Sequence, residues 1–374
     1  MSIQELEIYR LDIPFRISFK HSSAERRRTQ SVWVEAVGEG LVGRGEGCPR
    51  EYVTNENMAT AAAFFAEHRR AVLDGIHDFE DLVSWERRHA ATIDENPAAW
   101  CAIELAMLDW LARRDGSPVE DLLSLTRLDG TYRYTAVVGD SGMDSFRSTT
   151  ARYRDLGFAD FKLKLSGDVG RDRERLRWLH ELEVKGLRVR VDANNLWDRV
   201  EEAAEHLTAL GCPFLGIEEP LEANDLAGLR RLADETGCRM ILDESLLREE
   251  QITRLEEDPH HWIVNLRVSK MGGLLRSLAV ARRAREASIP VIVGAQVGET
   301  SLLTRAGLVA AGCAADNLLA QEGAFGTLLL ETDVADPPLM FGAGGIVDAT
   351  VLELGAKPGW GLSFTSDRGI FQRL

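Results

Sequence analysis

Along the first fifty residues, apolar and polar positions alternate in three short blocks, IQELEIYRLDIPF, SVWVEAVGEG and LVGRGEG, with glycine turns between them. That is the pattern of strands. The polar stretches KHSSAERRRT and CPREYVTNE read as loops. From about Asn57 to Leu125 the apolar spacing changes to threes and fours. AAWCAIELAMLDWLARRDG is the clearest case, closed by Gly116. Strands followed by helices make this an α+β unit. After TYRYTAVVG, short apolar runs alternate with amphipathic segments such as DRERLRWLHELEV: FKLKL, LRVRVD, FLGIE, RMILDE, WIVNLRV, PVIVGA and NLLAQ. With the first strand these make eight, spaced by roughly 25 residues, the βα repeat of a closed parallel barrel. A doubly wound open sheet is the rival, but no glycine-rich dinucleotide turn follows any strand. The expected division is an α+β unit at 1–127, a barrel at 128–330, and a glycine-rich segment at 331–374 that returns to the first unit.

Composition narrows the setting. The chain has 374 residues, 45% of them hydrophobic, which is ample for a large core. A net charge of −16 argues against nucleic acid and anionic membranes as partners. Five scattered cysteines without a CxxC spacing suggest neither a disulfide framework nor a zinc site, and fit a reducing cytoplasm. The N-terminus lacks a basic start with an apolar core, and no segment approaches the roughly 20 apolar residues that cross a bilayer. A soluble cytoplasmic protein without membrane partners is expected.

The candidate chemistry begins in FKLKLSG. Strand alternation points Lys162 and Lys164 the same way, and two ammonium groups about 7 Å apart disfavour each other. A solvated edge strand would tolerate that. The following strands change the picture. Asp192 and Asn194 follow LRVRV, Glu218 and Glu219 follow FLGI, and Asp243 and Glu244 follow MIL. The steps from Asp192 to Glu218 and from Glu218 to Asp243 are 26 and 25 residues, one βα unit each, so three strands raise one carboxylate apiece to the C-terminal rim where barrels place their sites. Singly, each acid is an ordinary helix cap or solvated group. Together they repel unless protonated or bound to a cation, and an all-oxygen set suits Mg²⁺.

These motifs resemble the enolase superfamily, within it the muconate-cycloisomerase-like group of the mandelate racemase/muconate lactonizing enzyme family. The matching text is FKLKL, VDANNLW, IEEPL, LDES, SKMGG and FGTLLL, with PAAWCAIELAMLDWL and the loops near Phe19 and Tyr52. The resemblance implies a modified (β/α)7β barrel, TIM-like, under an α+β capping domain, with Mg²⁺ on Asp192, Glu218 and Asp243. It implies a lysine base beside the ion, a small carboxylate substrate, and a homo-oligomer, since relatives commonly assemble. Abstracting a proton next to a carboxylate creates an enediolate that fixed cations stabilise. The base must itself be neutral; a neighbouring ammonium can bring a lysine toward ~7–8, so Lys162 would tune Lys164.

Two departures bear on the overall reaction. The lysine-pair group has a second acid/base lysine on the sixth strand; that position here is Arg267, in VNLRVSKMGG. Arginine stays protonated and makes a poor base. Lys270, three residues on, is expected to face away from Arg267 by strand alternation unless the chain bends there. On the eighth strand, dipeptide epimerases of this group carry Asp-x-Asp; here Gly323 and Phe325 take those places, with Glu322 near but shifted. Glu299, in VGETSLLT, is a candidate at the rim, and His21 and Tyr52 are substrate candidates in the overlying loops. The run Arg26, Arg27, Arg28 offers charge to a second anionic group, or simply solvates a loop. The expected activity is α-proton abstraction by Lys164 followed by same-face elimination or cycloisomerisation. The alternatives are a racemase or epimerase of an amino- or hydroxy-acid derivative, and a non-catalytic homologue that binds metal and acid.

Overall fold

The computed structural model describes residues 3–21, 24–211 and 213–374, the backbone alone at 17–21 and 24–25. Five strands open the chain: β1 (Glu5–Leu11), β2 (Pro14–His21), β3 (Ala24–Arg28), β4 (Ser31–Gly38) and β5 (Leu41–Gly47). β2 and β3 pair as an antiparallel hairpin across the polar stretch expected to be a loop, and Glu51–Thr54 is a helical turn where a second loop was expected. Charge alternation is compatible with a two-stranded ribbon, because neither face must be dry.

The helix Pro97–Arg114 packs on β4 and β5. Its residues from Pro97 to Ala112 are all buried, so it is a core helix rather than an amphipathic surface one. Gly45 and Gly47 permit this closeness. A Cβ at either would stand 2.0 Å from the Ala102 carbonyl oxygen or 1.9 Å from that of Ala98.

A short β6 (Thr131–Arg133) precedes the eight parallel strands of the barrel. These are β7 (Ala136–Val138), β8 (Asp160–Lys164), β9 (Arg188–Asp192), β10 (Ile217–Glu218), β11 (Met240–Leu242), β12 (Trp262–Leu266), β13 (Val291–Val293) and β14 (Leu318–Gln321). Neighbours in sequence are neighbours in the sheet, and its two ends meet where Thr135 N–H donates to the Gln321 carbonyl at 2.7 Å. The fold is thus a curled parallel α/β sheet of the TIM-barrel kind with a separate antiparallel cap. β15 (Ile346–Asp348) pairs with β6, and β16 (Phe371–Arg373) adds to β1 at the edge of the cap sheet.

Cap and barrel are joined by buried polar groups. The Arg50 guanidinium donates to the carbonyls of Pro49 at 2.7 Å and Val297 at 2.6 Å. Glu46 accepts from Thr300, and Glu104 from the Leu274 and Leu275 amides, so cap carboxylates satisfy the open N-termini of two barrel helices. Among the described residues no helix is long and apolar enough to cross a membrane.

Candidate active site

Each expected group stands at a strand's C-terminal end. Lys164, Asp192 and Glu218 close β8, β9 and β10; Asp243, Arg267 and Glu322 directly follow β11, β12 and β14. Register sets them side by side, Lys164 beside Asp192 and Asp192 beside Glu218.

The two lysines differ in company. Lys162 donates to Glu218 Oε1 at 2.7 Å and Glu322 Oε2 at 3.1 Å, and lies 3.5 Å from Asp192. Burial works against its charge, but Glu218, Glu322 and Asp192 outweigh that and hold the amine protonated. Lys164 donates to Asn194 Oδ1 at 2.7 Å and lies 3.6 Å from Asp192. Asn194, at φ 48°, also donates from its amide side chain to Asp192 Oδ1 at 2.6 Å, so one residue orients base and carboxylate together.

Asp243 is the most heavily neutralised acid. Arg267 bonds it directly, and Lys270 donates to its Oδ1 at 2.8 Å and its carbonyl at 2.7 Å. Although burial opposes ionisation, Arg267 and Lys270 bring its carboxyl down to about 2. This overturns the expectation that Lys270 faces away from Arg267. The strand ends at Leu266 and Val268–Met271 is helical, so residues three apart share a face. Arg267 also donates to Gln296 Oε1 at 3.1 Å and lies 3.7 Å from Glu218.

Glu218 is pushed up to about 8 by burial and by its acidic neighbours, against the pull of Lys162. Its Oε2 is buried without a hydrogen-bond partner, as is Oδ1 of neighbouring Asn265. Glu219 faces elsewhere: it accepts from the Asp243 amide at 2.6 Å and from Ser245, fixing the turn that carries Asp243. Among the described residues no group of three or more His, Cys, Asp or Glu side chains is placed to grip an ion without rearrangement. The cationic side chains account for this, since Lys162, Arg267 and Lys270 engage the acids directly.

Tyr52, Glu244, Glu299 and Arg267 line one cavity of about 830 Å³ with both lysines. Burial raises Glu299 to about 8, although the Gln296 amide donates to it at 2.6 Å. Glu244 is likewise raised to about 8 by burial and Asp243. His21 ends β2, but its side chain lies outside the described residues. Of the arginine run, Arg28 pairs with Asp12 at 2.6 Å and Arg26 lies 5.8 Å from the centre of the Tyr52 ring.

Sequence reasoning missed the groups beneath the rim. Arg190, fully buried, donates to Glu322 at 2.8 Å, Thr135 at 2.6 Å and Asp160 at 3.1 Å. The signal was present: Asp160 shares the lysines' face of β8, and Arg190 shares the Asp192 face of β9. Gln296 and Asn265 carried no comparable signal.

Residues 145–368, more than half the chain, match the family model described as enolase C-terminal domain-like. The chain is 30% identical to an L-Lys-D/L-Arg epimerase of Methylococcus capsulatus, across 97% of this chain and 99% of that protein. It shares its fold with a dipeptide epimerase of Cytophaga hutchinsonii solved with Mg and D-Ala-L-Val, at TM-score 0.86 and 24% identity over 100% and 99% of the two chains. It shares it equally with 2-chloromuconate cycloisomerase of Rhodococcus opacus, at TM-score 0.86 and 22% identity over 98% of each. A barrel whose rim carries paired lysines and three carboxylates on successive strands defines the class. The chain belongs to the enolase superfamily, through its enolase C-terminal domain-like family, and is an isomerase or lyase of that superfamily.

Proposed function

We propose that Lys164 removes the α-proton of a small carboxylate substrate and that the reaction is completed from the same face, as an Mg²⁺-assisted elimination or cycloisomerisation. The observation that carries this is Arg267. It follows β12, four strands from β8 and so opposite Lys164 in an eight-stranded ring, and its guanidinium is held by Asp243 and Gln296. A permanently protonated group there cannot take up a proton, so acid–base work falls to the Lys164 face. Lys162, held protonated, adds fixed positive charge, and Asn194 aims Lys164.

Asp192, Glu218 and Asp243 are the residues that would hold the ion. The oxygen-only donor set and the unpartnered buried Glu218 Oε2 fit a hard divalent cation, which would relieve that buried oxygen. When bound, it would supply positive charge to the substrate carboxylate as negative charge develops. The division into a capping domain at 1–127, a barrel at 128–330 and a returning segment belongs to the same proposal.

Epimerisation is the second reading. The relatives' names favour it, and so does Glu299, which lines the cavity from the loop after β13 and stays neutral to about pH 8, able to return a proton. NMR of candidate acids in D₂O separates the two. Exchange at one enantiomer alone supports the one-faced reaction. Comparable exchange at both enantiomers establishes a second acid/base and replaces it with epimerisation. Magnesium affinity measured by calorimetry should fall in Asp192→Asn and Asp243→Asn; unchanged affinity in both would remove the metal assignment.

A further inference from the structure

Lys164 is aimed by Asn194, and the backbone that carries Asn194 is strained. Asn194 and Asn195 stand at φ 48° and 57°, consecutive left-handed residues in a loop without glycine. Asparagine tolerates that region better than most residues, but two in succession persist only where the surroundings fix them. Part of the fixing comes from the neighbouring strand end: the Asn195 amide donates to the Glu219 carbonyl at 2.7 Å and the Trp197 amide to that of Pro220 at 3.2 Å. The rest comes from outside the barrel, where Trp197 is buried against the ring of His206, centroids 4.9 Å apart.

His206 is a buried titratable group that the chemistry at the rim does not use. It lies in the helix Val200–Leu210, and its Nε2 is 3.2 Å from Oδ2 of Asp172 in the helix Val169–Glu181. Asp172 is buried too, and its carboxylate receives the Ser166 amide at 3.0 Å and the Ser166 hydroxyl at 2.7 Å. The carboxylate accepts, so the ring nitrogen donates. Arg175 lies 3.9 Å from Asp172 and makes its closer pair with Asp140 at 2.7 Å. Ser166 is two residues beyond Lys164. His206 thus reaches the loop after β8 through Asp172 and the loop after β9 through Trp197. The loops also meet directly, Leu196 Cδ2 lying 3.7 Å from where a Cβ on Gly167 would stand.

We propose that His206 is a positioning residue for the proton transfer. It ties the loop after Lys164 to the loop of Asn194, and the relative placement of the two sets the 2.7 Å hydrogen bond between those residues. Small displacements of a reacting group cost rate steeply. The effect on rate rests on Lys164 as the base, as proposed above; the coupling of the two loops does not.

The test uses the magnesium-loaded protein. His206→Leu keeps apolar bulk beneath Trp197 and removes the donor, and His206→Gln restores an N–H. In hydrogen–deuterium exchange mass spectrometry, His206→Leu should speed amide exchange about fivefold in both 165–168 and 193–198, the scale of one lost hydrogen bond, and leave β12 unchanged. Unchanged exchange in either loop overturns the proposal, as does an increase that extends to β12. Asp172→Asn breaks the link at its other end, carries the same expectation, and decides the question if His206→Leu does not fold. On whichever member of a panel of dipeptides and N-succinyl amino acids the wild type deuterates fastest in D₂O, His206→Leu should lower kcat about tenfold with KM within about twofold, and His206→Gln should recover most of the rate. In Asn194→Ala protein, His206→Leu should cost less than about twofold, because the hydrogen bond it protects is already gone. A rate within about twofold of wild type, a loss carried by KM, or a tenfold cost that persists without Asn194 overturns the positioning role. Loosened loops in the variant, with no deuteration of any panel member by the wild type, fault the Lys164 reading and support the coupling.

Discussion

On one side of the barrel lumen, β8 and β9 turn Asp160, Lys162, Lys164, Arg190 and Asp192 to the inside, and Glu322 joins them after β14. On the other side, β11, β12 and β13 place Ile241, Ile263 and Ile292 below their polar rim groups, in a small apolar cluster of their own with Ala320. The isoleucines need only space. Gly216 provides it, since a Cβ there would come within 2.8 Å of Ile241 Cδ1 and 2.9 Å of Ile263 Cδ1. The charged side needs every partner: without Arg190, both Glu322 and Asp160 lose a buried cation. A buried ion network is commonly no more stabilising than apolar residues of the same volume, yet breaking it is expensive. The isoleucine side therefore suffices as a floor, and the charged side is explained by what it holds at the rim.

That contrast can be broken at its strongest point first. Lys164→Ala should lower α-proton exchange on the order of 10³-fold, the scale of a lost general base, with the urea midpoint near wild type. Exchange close to the wild-type rate would remove the charged side's functional rationale. Next, Arg190→Met should cost about 3–5 kcal/mol in urea unfolding, because it removes the fully buried cation that Glu322 and Asp160 share. A loss below about 1 kcal/mol would show that the network carries no such strain.

Carboxylate environments sharpen the comparison. Glu322 is buried yet held below the usual range by Lys162 and Arg190, whereas Glu46, equally buried, has no such ion-pair partner among the described residues and burial pushes it up to about 7. Its folded-state pKa thus lies above the unfolded value of 4.5. The stability linked to this proton is complete below about pH 4.5 and lost as pH rises through about 7. Glu46→Gln, which cannot ionise, should therefore be more stable than wild type at pH 8 by about 3 kcal/mol, with the difference shrinking toward pH 5 in thermal melts. A gap independent of pH would show that Glu46 does not titrate in this window. The smallest effect belongs to the apolar side: Ile263→Val should cost only about 0.5–1.5 kcal/mol and leave exchange intact. If it abolishes exchange, the two sides are not separable.

Much of the architecture was legible because it is written in local periods. Alternation marked the strands, the 26- and 25-residue steps placed Asp192, Glu218 and Asp243 on one rim, and FKLKL announced two cations on one face. These properties depend on neighbours a few residues away or on a single βα repeat, so the chain states them directly. What meets what across the lumen depends on closure and register. Lys270 joined Arg267 on Asp243 because β12 stops at Leu266 and the chain turns helical, a boundary that apolar spacing does not mark. The hairpin of β2 and β3 formed in polar text because pairing, not burial, satisfies its backbone. Arg190 reached Glu322, 132 residues away, only once β14 curled round to meet Thr135. The kinds of group available at the site were thus determined by sequence alone. Which cation neutralises which acid was decided by tertiary structure, because Coulomb interactions act through distance in space and the barrel's closure sets those distances.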